Sequence, residues 1–282
     1  MSTGSEIPPG HMAQLGDGRP ISATLGVFPL LRELEKGKLQ VVGTGFYITR
    51  YGLFLSARHV FDHITGAKNP SAENFRIFHH TGDQIHIRHV KRFTISNHAD
   101  IALGEADNFS EQYPDNPLSN LRAKLTLETP TIGEKLITFA YPRNALLDFT
   151  NKSEPIEIFA SRFEGTFEGI IDPGKYDPHQ IERYQSSIPL EGGCSGGPIF
   201  DESGRVVAIA HSSLDFGDGD QEGVATSTLI PIRHGLHLGF HGLSVPKVSW
   251  EFCQIPPNLH AATLSVRDIA EFGHVEFDPP LG

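Results

Sequence analysis

From Ile21 onward the chain alternates apolar and polar positions, or carries short apolar runs, with Gly, Asp and Asn between them. SATLGVFPLL, LQVVGTGFYIT, YGLFLSA, NFRIFH, QIHIRHVKRFTI and ADIALGEA form a first series. Strand-length runs bounded by turn residues predict an antiparallel sheet protein. In GFYIT the alternation turns Phe46 and Ile48 to a core and Tyr47 and Thr49 outward. Arg50-Tyr51-Gly52 then makes a tight turn into LFLSA, which predicts a hairpin ending near His59.

The stretch Glu111 to Pro130, with three prolines and several polar residues, interrupts the pattern and reads as a connection between two units. A second series follows: KLITFAYP, PIEIFASRFEGTFEGII, RYQSSI, GPIFD and VVAIAHSS, the last two joined at Glu202-Ser203-Gly204. Asp, Gly and Pro between Gly165 and Gln185 predict an inserted loop. Helical spacing is confined to the end, where Leu229–Leu243 and Val266–Phe272 each predict a short helix. The pattern predicts two consecutive β-barrels or sandwiches followed by a mostly helical tail.

Composition narrows the class. The 282 residues carry 23 Lys+Arg against 34 Asp+Glu, a net charge of −11, which argues against binding a phosphate backbone. No stretch approaches the roughly 18 apolar residues of a membrane helix, and MSTGSEIPPGHM lacks the parts of a secretory signal. Cys194 and Cys253 are the only cysteines, so no disulfide framework is expected and a cytoplasmic setting is the simplest.

The sharpest chemical feature is Gly192-Gly193-Cys194-Ser195-Gly196-Gly197-Pro198 between two predicted strands. Glycines on both sides allow backbone conformations that expose the Ser195 hydroxyl and aim amide N–H groups at one point. A serine nucleophile also needs a base to take its proton and a carboxylate to orient that base. His59 at the end of the first hairpin and Asp100 just before a buried strand supply both types. The plain alternative is that SGGP is a β-turn, His59 a surface histidine and Asp100 a strand-end acid.

These segments resemble the trypsin-like (chymotrypsin-fold) serine peptidases, especially the bacterial HtrA and glutamyl-endopeptidase branches. The matching segments are Gly43-Thr44-Gly45-Phe46, Leu55-Ser56-Ala57-Arg58-His59-Val60, Asp100-Ile101-Ala102-Leu103 and Gly193-Cys194-Ser195-Gly196-Gly197-Pro198, covering roughly residues 21 to 240. The resemblance implies an all-β fold of two six-stranded antiparallel barrels, with a short C-terminal helix and an extra C-terminal segment. It implies an N-terminal segment at 1–20, barrels at 21–115 and 131–242, a connector at 116–130 and an extension at 243–282. His59, Asp100 and Ser195 would be the catalytic triad of a prokaryotic serine endopeptidase working through an acyl-enzyme. The amides of Gly193 and Ser195 would form the oxyanion hole. A silent or partner-gated binding module and an esterase-like hydrolase are the alternatives on the same fold.

The acidic residue that animal digestive members carry before the nucleophile is replaced by Cys194, so activation through a newly cut N-terminus is not expected. Cys194 is also a rival nucleophile, which the alignment to Ser-Gly-Gly-Pro sets behind Ser195. By the resemblance, Pro189 and Leu190 on one side and Ala210, His211, Ser212 and Ser213 on the other wall the specificity pocket. No acidic residue sits there, which disfavours Arg or Lys at P1 and favours a small or apolar residue ahead of an acidic one. The histidine that glutamyl endopeptidases use stands one residue earlier than His211, so only a bulge would turn His211 to the same face. His234, His237 and His241, and the cluster His79, His80, His86 and His89, lack the companion ligands of a metal site. No metal and no cofactor is expected; the partners expected are a peptide or protein substrate and a regulatory protein, with no nucleic acid and no membrane. Trp250, Phe252, Ile269 and Phe272 anchor the extension, as scaffold or as a cover over the cleft.

Overall fold

A computed structural model describes residues 12–14, 20–22, 26–35, 37–62, 71–81, 84–115, 118, 120–142, 146–148, 158, 160–173, 181–214, 226–241, 263–271 and 273–281. The first series of runs makes six strands: β1 (Val27–Glu35), β2 (Lys38–Tyr47), β3 (Leu53–Ser56), β4 (Phe75–Thr81), β5 (Gln84–Ile95) and β6 (Ala102–Ala106). The second makes β7 (Lys135–Ala140), β8 (Ser161–Ile171), β9 (Arg183–Ser186), β10 (Pro198–Phe200), β11 (Val206–Leu214) and β12 (Thr226–Pro231). Each series closes on itself, in the order β2-β1-β4-β5-β6-β3 and back to β2, and β10-β7-β8-β9-β12-β11 and back to β10. The fold is therefore two closed six-stranded antiparallel barrels, and closure leaves no exposed edge between first and last strand. Short strands outside the barrels and two short helices, α1 (His59–Asp62) and α2 (Val266–Glu271), accompany them.

The cores are aromatic-rich. In the first barrel Phe28 packs edge-on against Phe54 and at 4.4 Å from the Tyr47 ring, and Phe61 stacks on Phe93. A separate cluster of Leu136, Phe167, Tyr184, Ile188, Ile199, Val207 and Leu229 fills the second barrel. The alternation misjudged Tyr47 and Thr49, which are both buried. Tyr47 turns in because Arg88, also fully buried, donates to its Oη at 2.6 Å. Arg88 also donates to Asp107 O at 2.6 Å and Asn120 Oδ1 at 2.5 Å, and lies 3.1 Å from His79 Nδ1. Burying a guanidinium is costly unless its N–H groups find acceptors, and Nε and Nη1 draw theirs from four parts of the chain, while Nη2 has no acceptor among the described residues.

Two expectations of helix and loop need correction. Leu229–Leu243 is not a helix: Leu229–Pro231 ends β12, Ile232–Gly235 is one 3-10 turn and Gly239–His241 is a strand paired with Thr263–Ser265. A Cβ at Gly235 would meet Ile101 Cδ1 at 2.7 Å, so the turn is pressed against the first barrel. The Gly165–Gln185 loop is shorter than expected, since β8 continues to Ile171 and β9 begins at Arg183. The expected helix at Val266 is present and buries Val266 and Ile269. Beyond it, Glu276–Phe277 pairs in parallel with Lys124–Leu125 of the connector. Arg122 donates to Gly273 O and His274 O, so the described part of the extension docks on the connector. Trp250, Phe252, Cys253 and Phe272 lie outside the described residues. No described helix is long and apolar enough to cross a membrane.

Candidate active site

The site forms where the two barrels meet, and each of its side chains is set by a local feature of the chain. His59 opens α1, directly after β3. Arg58 beside it donates to Asp62 at 2.6 Å and to Ser96 O at 2.8 Å, which ties the helix to the turn that carries Asp100. That turn is held by Ser96 Oγ, which accepts from the amides of His98 and Ala99 at 3.1 Å each. Asp100 then meets His59 twice: Oδ1 accepts from the His59 amide at 2.8 Å and Oδ2 lies 2.6 Å from Nδ1.

The loop that carries Ser195 is built from glycine conformations. Gly193 and Gly196 adopt φ of 94° and 85°, in the left-handed region. The amides of Cys194, Gly196 and Gly197 donate to Glu191 O, Ala210 O and Cys194 O. Among the described residues the amides of Gly193 and Ser195 have no hydrogen-bond acceptor. Thr44 of β2 locks this loop to the first barrel. Its amide donates to Ser195 O at 2.9 Å, its hydroxyl donates to Gly193 O at 2.9 Å, and it accepts from the Tyr141 amide at 3.0 Å. Ser56 donates to Thr44 O from the other side. Thr44 and Arg58 stand in the matching segments without a sequence signal for these roles, because the contacts of Thr44 with Gly193 and of Arg58 with Ser96 join residues far apart in the chain.

His211 is the larger surprise. Its position was expected in the wall of the specificity pocket, yet its Nδ1 lies 2.5 Å from Asp100 Oδ2. In the pairing of β11 with β12, Ala210 faces Leu229 and Ser212 faces Thr228, so His211 is the extra residue of a β-bulge. A bulge re-aims the side chain it carries, and here it points the ring at the carboxylate. The His59 and His211 rings meet edge to face with centroids 5.8 Å apart. The backbone of His211 joins as well: Ser195 Oγ donates to its carbonyl at 3.2 Å. His59, Asp100 and Ser195 are thus gathered in one cluster with His211 as a fourth member.

Electrostatics follow from these contacts. Burial alone would raise the Asp100 carboxyl. The hydrogen bonds from His211 and His59, with the charges of both rings, outweigh that and hold it well below the usual carboxylate range. Burial pushes the Cys194 thiol up to about 11, and Cys194 packs in the second core. A thiol in that state is a poor nucleophile. Of the expected pocket residues, Ala210 and Leu190 are buried in the same core and Pro189 is exposed. Ser212 and Ser213 continue β11, and their side chains fall outside the described residues. Of the other histidines, His79 and His86 are buried beside Arg88, and His89 pairs with Glu111.

Comparison with known proteins agrees with this architecture. A family profile described as a trypsin-like peptidase domain matches residues 43–209, more than half of the chain. Among solved structures, Deg5 is similar with a TM-score of 0.51 at 15% identity, over 74% of this chain and 84% of its own. The Rv3671c protease of M. tuberculosis in its active form is similar with a TM-score of 0.47 at 16% identity, over 75% of this chain and 78% of its own. No curated protein matches the sequence. The span from Gly43 to Ile209 that holds all three segments of the site is the span the profile matches, and the chain belongs to the trypsin-like peptidase family.

Proposed function

We propose that the protein is a serine endopeptidase in which Ser195 is the nucleophile, His59 the general base and then acid, and Asp100 the carboxylate that orients it. The observation that carries this reading is the double contact of Asp100 with His59. With Nδ1 donating to Oδ2 at 2.6 Å, the neutral ring is fixed in the tautomer that carries its lone pair on Nε2. That lone pair is what a serine hydroxyl needs. As Ser195 Oγ attacks a scissile carbonyl its proton passes to His59 Nε2, and Asp100 stabilises the imidazolium that forms. The developing oxyanion is met by the amides of Gly193 and Ser195, which have no other acceptor among the described residues. The imidazolium then protonates the leaving amine, and water attacks the acyl-enzyme along the same path in reverse.

In the resting arrangement the Ser195 hydroxyl donates to His211 O, so attack requires its rotation toward His59. A small or apolar P1 residue is favoured over an acidic one. The histidine of the expected pocket wall is committed to Asp100 and is not free to meet a P1 carboxylate. Cleavage of a peptide library with mass-spectrometric readout tests both statements. Wild type should cut after small or apolar residues, and Ser195→Ala should lose on the order of 10⁶-fold in rate. Equal cleavage by Ser195→Ala would remove the proposed nucleophile.

A further inference from the structure

We propose that His59, Asp100 and His211 form a three-ligand site for a zinc-like divalent ion, and that the bound ion reversibly switches the peptidase off. The inference rests on the assignment of His59 as the base, and it concerns regulation of that same site. Two imidazoles and one carboxylate bring one ligand atom each within 4.8 Å of one another, the one such grouping among the described residues, and both Nδ1 atoms lie on Asp100 Oδ2. A triad needs one histidine on its aspartate; the second, delivered by the bulge in β11, completes a donor set that suits zinc, copper or nickel better than calcium or magnesium.

The site can open to admit an ion. Zinc sits about 2.0–2.1 Å from each nitrogen and about as far from oxygen, so tetrahedral ligands stand roughly 3.3 Å apart. The two Nδ1 atoms now lie 2.6 and 2.5 Å from Oδ2, so each contact must lengthen by about 0.7 Å. Both rings have room for that rotation, because the side chains of His59 and His211 are 29% and 19% exposed while Asp100 stays anchored at 8%. The anchor is the His59 amide, which holds Oδ1 and leaves Oδ2 to face the ion. A chain with net charge −11 also attracts a dication from solution.

Inhibition follows from the tautomer. The ion takes the lone pair of His59 Nδ1, which must give up its proton, and the neutral ring then carries its proton on Nε2. For each ring one N–H bond breaks at Nδ1 and one forms at Nε2, with no net proton released. A protonated Nε2 donates and does not accept, so Ser195 loses its base although every catalytic atom is still present. Chelation returns the proton to Nδ1 and restores the base.

Calorimetric titration of zinc into the purified full chain, and cobalt titration followed by visible absorption, read binding without reference to activity. We expect one ion per chain in wild type. Affinity should fall at least about 100-fold, the upper end of what losing an outer-shell partner costs, in His59→Ala and in His211→Asn, and be unchanged in His89→Ala. His59 is partly exposed at a helix start, so His59→Ala tests the site even where His211→Asn disturbs the bulge; circular dichroism checks both. Fluorophosphonate labelling of wild type should slow with zinc and recover with a chelator. Zinc binding that survives His59→Ala or His211→Asn, or no saturable binding in wild type, would overturn the proposal. Zinc bound at this site in a protein that never labels would keep the ion site and remove the peptidase reading, so the two failures are distinct.

Discussion

Replacing Gly196 with alanine separates the two demands that the nucleophile loop places on its sequence. The first is conformational: φ is +85°, where an L-residue costs about 1–2 kcal/mol over glycine. The second is space. A Cβ at Gly196 would lie 2.2 Å from Ser56 Oγ, 2.4 Å from Thr44 O and 2.6 Å from the Ala57 amide nitrogen. Two of these three are backbone atoms and the third is held by its hydrogen bond to Thr44 O, so relief requires moving β2 against β3. Overpacking of this kind costs about 1–3 kcal/mol, which brings the total to roughly 2–5 kcal/mol. At roughly 2–4 °C per kcal/mol the melting temperature should drop by about 4–20 °C. Gly204→Ala is the control, because Gly204 has φ of +76° and nothing within 4 Å of its Cβ, so only the conformational cost applies. Thermal unfolding by circular dichroism should rank wild type above Gly204→Ala above Gly196→Ala, and Ser195 labelling should slow only in the last. Equal melting of the two variants would show that the loop is not wedged between β2 and β3.

Three further outcomes follow from the same contacts. Thr44→Val keeps shape but strands Gly193 O and the Tyr141 amide, so it should cost roughly 2–5 kcal/mol in denaturant melts; it should also slow Ser195 labelling by at least about tenfold through the displaced Gly193 amide. For Asp100 the sign is set by a folded-state pKa below the unfolded one of about 3.9: its stabilisation is present above that value and is lost as pH falls through the lower one. The stability gap between wild type and Asp100→Asn should therefore be widest near neutrality and narrow between about pH 5 and 2, and a gap that widens on acidification would refute the assignment. Arg88→Met leaves Tyr47 Oη, Asn120 and Asp107 O without their donor and should cost about 3 kcal/mol or more by urea titration, with labelling of Ser195 retained.

The barrels could be read from the sequence because strand alternation and turn residues are local signals, and the runs at LQVVGTGFYIT, QIHIRHVKRFTI and VVAIAHSS all became strands. His59, Asp100 and Ser195 were also marked, since each sits in a short segment whose residue types carry the chemistry. What stayed hidden depends on partners distant in the chain. The inward turn of Tyr47 requires Arg88, 41 residues on. The helix expected at Leu229–Leu243 failed because its apolar spacing fits both a helix and a strand followed by a tight turn, and contact with Ile101 decides between them. His211 shows the same limit most sharply. A bulge exists only relative to the neighbouring strand, so no reading of VVAIAHSS alone could place its ring on Asp100. Thr44 is identical in type to fifteen other threonines in the sequence until the loop that carries Ser195 is brought against it.

The most direct test of the central claim is intact-mass analysis of the purified protein after reaction with a fluorophosphonate probe, comparing wild type with Ser195→Ala, His59→Ala and Cys194→Ala. The geometry requires one probe adduct on wild type and on Cys194→Ala, none on Ser195→Ala, and a rate reduced by several orders of magnitude on His59→Ala. An unlabelled wild type, or an adduct that survives Ser195→Ala, would contradict the assignment of Ser195 as a nucleophile activated by His59 and Asp100.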